Sequence, residues 1–239
     1  MTRTPGYWAI IPAAGIGARF HQTAPKQYAR INGRTILEHS VQPFLASSKV
    51  VGIVIAIAEN DFQAKQLPLL KDHRIHFCIG GATRAQSVLN ALEYAKSKAP
   101  ADDWALVHDA ARPCLSTDEV SALISATTAQ MPDFKNGAIL ALPVTDTIKK
   151  ASSYQVESTV DRTDLWHALT PQAFPINILA EALELAIHQG RSVTDECSAI
   201  ELIGLRPELI TGKRSNIKIT YPEDIDIATF YLSNIGLMQ

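Results

Sequence analysis

The chain has 239 residues, 46% hydrophobic and 19% charged, with a formal net charge of −2 at pH 7. That length and balance suit a single globular domain with a sizeable core, and they exclude nucleic-acid binding through bulk basic charge. Three widely spaced cysteines without a CxxC motif exclude a disulfide framework and a cysteine zinc site, so each reads as a small packed apolar residue.

In chain order, short apolar runs alternate with helical patterns. Tyr7–Ile11 reads as a buried strand that runs directly into a Gly/Ala turn, residues 13–18. Helix Ile36–Leu45, strand Val50–Ala58, helix Asp61–Leu70 and strand Ile75–Ile79 follow. Helix Ala82–Lys96 comes next, with Val88, Leu89, Ala91, Leu92 and Ala95 on one face. Strand Trp104–Val107, helix Thr117–Ala129 and strand Ala138–Leu142 continue the alternation. These features predict a three-layer α/β sandwich around a mostly parallel, Rossmann-like sheet.

The pattern changes at Pro143–Arg162, where polar and apolar residues alternate on both sides of a Ser152-Ser153 turn. That spacing predicts a two-stranded arm, residues 143–162, which is marginal alone and is expected to pack on a second subunit. Beyond it come helices Ile176–His188 and Asp195–Ile203, strands Glu208–Thr211 and Ile217–Thr220, and a last helix Pro222–Leu232. Aromatic residues such as Trp166 and Phe174 read as core. The N-terminus has no signal-peptide core, and the longest apolar stretch, Val50–Ala58, is too short to span a bilayer, so a cytoplasmic protein is expected.

The opening turn is the most specific feature. Small residues from Pro12, Ala13 and Ala14 to Gly15 and Gly17 let a ligand approach the backbone, and Arg19 and Lys26 add the charge that a triphosphate needs. A dinucleotide fingerprint would need a third small residue where Phe20 stands, and no Gly–Lys–Ser/Thr follows at Walker spacing. Ligands of such sheets sit beyond the C-terminal strand ends. Further clusters fall there: Gly80, Gly81, Arg84 and Ser87; His108, Asp109 and Arg112; Thr145 to Thr147; Thr194 to Glu196; and Asn216 to Lys218. Thr83 caps its helix, while Thr194 is equally a cap or a ligand contact. Asp109 reads as a metal or ribose partner, His108 as a packed side chain, and Arg112 as an ion-pair partner of Asp109.

The ordered set Pro12-Ala-Ala-Gly-Ile-Gly-Ala-Arg19, Pro25-Lys-Gln-Tyr28, Gly80-Gly81…Arg84…Ser87, Val107-His-Asp-Ala-Ala-Arg-Pro113, Asp161-Arg162…Trp166-His-Ala-Leu-Thr-Pro-Gln172, Thr194-Asp-Glu196 and Asn216-Ile-Lys218 resembles the 2-C-methyl-D-erythritol 4-phosphate cytidylyltransferases of the non-mevalonate isoprenoid pathway. The resemblance runs nearly end to end. It implies that Arg19 and Lys26 stabilise the triphosphate in the transition state. It implies too that Arg162 and Lys218 hold the methylerythritol phosphate, with Thr147, Thr170 and Thr194 near it. Cytosine would be read by the Pro12–Gly15 backbone, the Gly80-Gly81 turn and Ser87, with Asp109 near the ribose or Mg²⁺. Some relatives carry an acid where this chain has Ala82, and no fused cyclase domain is expected after Leu232.

The reaction so implied needs CTP, a polyol phosphate and Mg²⁺, with no nucleic acid or membrane, in a homodimer with exchanged arms. A phosphate oxygen attacks the α-phosphorus and pyrophosphate leaves. A phosphate monoester is largely ionised at neutral pH, so no general base is required. The rivals are a cytidylyltransferase for another polyol phosphate, such as ribitol 5-phosphate, and a silent nucleotide-binding regulatory protein.

Overall fold

Alternating burial along the strands decides the layers. The computed structural model describes residues 4–15, 25–129 and 136–235. Strand β1 (Tyr7–Pro12) sends Tyr7, Ala9 and Ile11 to one face and Trp8 and Ile10 to the other, all buried. A minimal hairpin, β2 (Arg30–Ile31) and β3 (Arg34–Thr35), turns through Asn32 and Gly33, both at positive φ, and leads into helix α1 (Ile36–Leu45). Thr35 and Glu38 close a capping box that fixes the start of α1. Next come β4 (Val50–Ile57), β5 (Ile75–Ile79), helix α2 (Arg84–Lys96), β6 (Trp104–Val107) and helix α3 (Thr117–Ala129). The chain continues with β7 (Ala138–Pro143), the hairpin β8 (Ile148–Ser152) and β9 (Gln155–Val160), and β10 (Trp166–Pro175). Helices α4 (Ile176–His188) and α5 (Glu196–Leu202), strand β11 (Glu208–Thr211) and helix α6 (Asp224–Ile235) complete it.

Seven strands form one sheet in the order β11-β7-β10-β6-β1-β4-β5. Strands β4, β5 and β6 run parallel to β1 directly or through a neighbour, and β11 runs parallel to β7, whereas β10 is antiparallel to both β6 and β7. Apolar residues of α1 and α3, such as Leu37, Phe44 and Leu123, fill one face. Residues of α2, α4 and α5, such as Leu92, Leu183 and Ile200, fill the other with Phe174 of β10. The expected three-layer α/β sandwich is therefore present, with two continuous cores. Leu92 and Phe174 are fully buried, and truncating such a side chain to Ala costs about 2–5 kcal/mol.

The chain leaves β1 toward β4 and β5, then returns to β6 on the opposite side of β1. The C-terminal ends of β1 and β6 therefore flank a topological switch point, where an open α/β sheet offers a crevice.

Several elements differ from expectation. Residues 61–70 form no α-helix. Two 3₁₀ turns, Ala64–Gln66 and Pro68–Lys71, stand there, because Pro68 lacks the N–H an α-helix needs and holds Leu67 extended. Strand β10 was not anticipated. Its ladder to β7 is interrupted between Ala168 and Gln172, which lets Pro171 sit within a strand without a ladder donor. The segment Ile217–Thr220 makes no ladder; the Ile219 N–H donates to the Ala111 carbonyl at 2.8 Å, and Ile219 is buried against Ile31 and Ile36. Trp166 is 39% exposed and so is not core. The arm turns at Ser153 and Tyr154, both at positive φ, one residue later than expected. No helix among the described residues is long and apolar enough to cross a membrane.

Candidate active site

Two adjoining hollows open at the switch point. The larger, about 480 Å³, lies between the turn after β1, the start of α2 and the loop after β6. Pro12, Ala13, Ala14 and Gly15 form one wall. The Ala13 N–H donates to the Ala56 carbonyl at 2.8 Å, and the buried Gln27 amide donates to the Ala13 carbonyl at 2.8 Å. The turn after β1 is thus pinned from both sides, and Gln27 also carries the neighbouring Lys26 to the hollow.

Gly81, Arg84 and Ser87 form the opposite wall. Thr83 caps α2 as expected, accepting from the Gln86 N–H at 3.1 Å, and the Gly81 N–H donates to Ser87 Oγ at 3.0 Å. A Cβ on Gly80 would stand 2.5 Å from Ala14 Cβ, so glycine here lets the β1 and β5 loops touch.

The smaller hollow, about 240 Å³, is lined by Thr170, Thr194 and Arg112 among others, and it shares Arg84, Asp109 and Lys218 with the larger. Asp109 is the hub of that shared floor. Its carboxylate lies 2.8 Å from Lys218 Nζ, 3.1 Å from Arg84 and 3.5 Å from Arg112. Burial would raise the Asp109 carboxyl, but Arg84, then Lys218 and Arg112, outweigh burial and hold it well below the usual carboxylate range. Arg112 itself is lowered by burial, and its Nη1 donates to the Asn216 carbonyl at 2.7 Å.

Arg84 also makes a bidentate pair with Glu196, at 2.6 and 3.1 Å. Burial pushes the Glu196 carboxyl up, and the Arg84 guanidinium opposes that. The fork geometry fixes Arg84 between two carboxylates from different elements. Lys26 Nζ donates to the Ile219 carbonyl at 2.9 Å, which brings the segments of Lys26 and Lys218 together. With Arg84, Arg112, Lys218 and Lys26 against Asp109 and Glu196, the floor is built to receive a polyanion.

The structure therefore assembles Pro12, Ala13, Ala14, Gly15, Lys26, Gly80, Gly81, Arg84, Ser87, Asp109, Thr170, Thr194 and Lys218 around one crevice. Gly17 and Arg19 lie outside the described residues. Within one chain Arg162 and Thr147 line neither hollow; both are exposed on the arm, and the Arg162 guanidinium donates to the Thr145 carbonyl. Thr194 does not cap α5, since Asp195 accepts from the Ser198 N–H there; Thr194 is left exposed at the rim. His108 is packed, as expected. Sequence reading missed Gln27, and gave Glu196 only a helix-start role. The signal for Glu196 was an acid flanked by residues of a buried helix face, which requires a cation nearby.

Among the described residues no group of three or more His, Cys, Asp or Glu side chains could hold a metal ion. The one carboxylate on the floor of both hollows, Asp109, is already surrounded by cations, an arrangement that does not fit a direct metal ligand.

The family model for 2-C-methyl-D-erythritol 4-phosphate cytidylyltransferase matches residues 7–234. The chain is 50% identical over 224 residues to the Haemophilus ducreyi enzyme of that name, covering 94% of this chain and 95% of that one. The Klebsiella pneumoniae enzyme is 46% identical over 231 residues, with 96% and 94% covered. Among solved structures, a 4-diphosphocytidyl-2C-methyl-D-erythritol synthase superposes with a TM-score of 0.82 at 37% identity, covering 97% of this chain and 100% of that one. The Francisella tularensis 2-C-methyl-D-erythritol 4-phosphate cytidylyltransferase gives 0.80 at 34% identity, covering 95% and 99%. A match of this extent, on a chain whose crevice is lined by the motif residues themselves, shows that it belongs to the 2-C-methyl-D-erythritol 4-phosphate cytidylyltransferase family.

Proposed function

We propose that this chain, acting as one cytidylyltransferase domain, transfers CMP from CTP to 2-C-methyl-D-erythritol 4-phosphate and releases pyrophosphate, with the two hollows as the two substrate sites. The observation that carries this assignment is their common floor: Arg84, Asp109 and Lys218 border both, so two anionic substrates would meet over one charged cluster. The larger hollow, walled by small residues and strand-end backbone, suits the nucleotide. The smaller, with Thr170, Thr194 and Arg112, suits a polyol phosphate.

In this reading the polyol phosphate presents an oxygen that is largely ionised at neutral pH, its second pKa being about 6. That oxygen attacks the α-phosphorus of CTP in line, one P–O bond forms, and the bond to pyrophosphate breaks. Lys26 faces the triphosphate as a compact charge, and the family pattern gives Arg19 the same task. Lys218, on the floor shared by both hollows, is assigned to the polyol phosphate. The barrier falls through positioning and neutralisation of phosphoryl charge, without a general base. A divalent cation such as Mg²⁺ would add charge neutralisation on the triphosphate, and Asp109, already paired with cations, would not be its ligand.

Arg162 and Thr147 are assigned to the polyol-phosphate site of a partner subunit, because each is exposed on the arm and lines neither hollow of its own chain. The enzyme is read as a homodimer with exchanged arms. A cytoplasmic location fits its three unpaired cysteines. The test is pyrophosphate release from CTP and Mg²⁺ with 2-C-methyl-D-erythritol 4-phosphate or ribitol 5-phosphate offered separately. Release with the first alone is expected; preference for the second, or none with either, overturns the assignment.

A further inference from the structure

His108 follows β6, is fully buried, and has no task in the reaction above. Its Nε2 lies 3.1 Å from the Arg112 carbonyl oxygen, and its Nδ1 lies 2.8 Å from Thr170 Oγ1. A carbonyl only accepts, so Nε2 carries the ring proton. Burial pushes the imidazole down to about 4, against the pull of Asp109, so the ring is neutral at pH 7. Its Nδ1 is then a bare lone pair, and the Thr170 hydroxyl proton must point to it. Thr170 Oγ1 also accepts the Asp109 N–H at 3.1 Å. A hydroxyl has one proton and two lone pairs, so a single lone pair remains.

Three neighbours hold this arrangement. The Phe44 ring meets the imidazole edge-on at 5.5 Å between centroids. Asn216 Nδ2 donates to the Thr170 carbonyl at 2.9 Å, and Asn216 in turn accepts, through its own carbonyl, from Arg112 Nη1. Thr170 lines the smaller hollow.

We propose that His108 is a positioning residue for substrate recognition: by engaging the Thr170 hydroxyl proton, it leaves Thr170 only an acceptor toward the smaller hollow, so the group seated there is a hydroxyl of the polyol and not a phosphate oxygen. A phosphate oxygen is an acceptor and meets a lone pair at that point. The phosphate is thereby directed to the side of Lys218 and Arg112, which fixes the orientation of the polyol phosphate in the hollow. This inference rests on the smaller hollow being the polyol-phosphate site.

The test compares 2-C-methyl-D-erythritol 4-phosphate with analogues in which one hydroxyl at a time is replaced by fluorine, which keeps the size but removes the donated proton. The wild-type enzyme should turn over one analogue with kcat/KM about 30-fold lower or worse, the loss expected when a buried acceptor goes unpaired. His108→Phe keeps the bulk of the ring but offers no acceptor to Thr170, whose proton then turns to the hollow. Its penalty for that analogue should shrink to a few-fold, with the KM for CTP little changed. Thr170→Ser should retain the wild-type penalty and Thr170→Val should lose it. Wild-type indifference to every analogue overturns the proposal. So does an undiminished penalty in folded His108→Phe or in Thr170→Val. If His108→Phe shows no cooperative thermal transition, the Thr170 pair and the wild type decide alone. Absence of turnover with the parent substrate would instead overturn the assigned function, and this inference with it.

Discussion

Lys218 Nζ lies 2.8 Å from Asp109 Oδ2, so the cation assigned to the polyol phosphate is already held by an internal carboxylate. The Ile219 N–H to Ala111 carbonyl bond sets that approach, joining a late segment of the chain to the loop after β6. Asp109 thus stands where a substrate anion would otherwise be needed to balance Lys218, Arg84 and Arg112. A phosphate has only to take over contacts that are already preorganised. Lys218→Ala should raise the KM for the polyol phosphate at least about tenfold, since a charge-assisted hydrogen bond is lost. CTP affinity should change by less than about threefold, measured by calorimetry with CTP alone. A larger loss for CTP than for the polyol phosphate would place Lys218 in the nucleotide site instead.

The depressed Asp109 carboxyl gives a stability signature with a defined sign. In the unfolded chain this group takes up its proton near pH 4, and in the folded protein only at lower pH. As pH falls below about 4, the unfolded state therefore binds protons first, and stability is lost. Above that range the contribution is fully present. Asp109→Asn removes this dependence, leaves Lys218 and Arg112 without their carboxylate partner, and leaves Arg84 with Glu196 alone. Its melting temperature should lie well below wild type at pH 7, and the gap should narrow steadily between about pH 4 and pH 2. A gap of constant size across that window would show that Asp109 is not ionised against its neighbours.

Lys26 separates transition-state from ground-state binding. It borders the larger hollow, and its ammonium is oriented by the Ile219 carbonyl at 2.9 Å. If it acts on charge that develops as pyrophosphate departs, Lys26→Ala should lower kcat about a hundredfold or more, while CTP affinity falls far less. Equal losses in both would reduce Lys26 to a ground-state contact.

Most of the sheet was legible because its strands are short, continuous apolar runs bounded by polar residues. Tyr7–Pro12, Ile75–Ile79, Trp104–Val107 and Glu208–Thr211 fall within a residue of where the pattern puts them. Strand β10 was not legible, because Pro171 and the polar Thr170 and Gln172 break the apolar run. What keeps it a strand is tertiary: Gln172 accepts from the Cys197 N–H and donates to Asp195, tying β10 to α5. The site was legible where a charged residue sits inside a recognisable motif, as Lys26, Asp109 and Lys218 do. It was not where one side chain acts through another. Nothing in the local sequence says that Glu196 forks onto Arg84, or that Thr170 sits between His108 and Asp109, since these contacts span more than sixty residues.

The glycine pair after β5 should control nucleotide affinity through backbone contact. A Cβ on Gly80 would meet Ala14 Cβ at 2.5 Å and Ser87 Oγ at 2.9 Å. Ala14 has no flexible end to move, so Gly80→Ala must push the β1 turn away from the β5 loop. The expected result is about a tenfold or greater rise in the KM for CTP, with a loss of about 1–3 kcal/mol in stability from overpacking. Ser87→Ala, which removes the acceptor for the Gly81 N–H, should raise the same KM by a smaller factor. An unchanged KM for CTP in Gly80→Ala would remove the glycine turn from the nucleotide site.

The arm supplies the last prediction. Strands β8 and β9 and the turn between them carry exposed side chains on nearly every position, including Val156 and the turn residue Tyr154, and form a separate two-stranded sheet. Such a ribbon is marginal in isolation, and Arg162 at its base lines neither hollow of its own chain. A two-fold dimer in which each arm reaches the other subunit satisfies both facts, because one self-complementary contact covers the ribbon and delivers Arg162. Lys26→Ala and Arg162→Ala should then each be nearly inactive alone, yet recover when mixed. With exchanged arms, a mixed dimer has one site carrying both lesions and one carrying neither. Random exchange makes about half of all dimers mixed, so the activity should rise to about a quarter of wild type. Subunit exchange is followed independently by mass spectrometry of differently labelled chains. Exchange without recovery would place Arg162 in the site of its own chain.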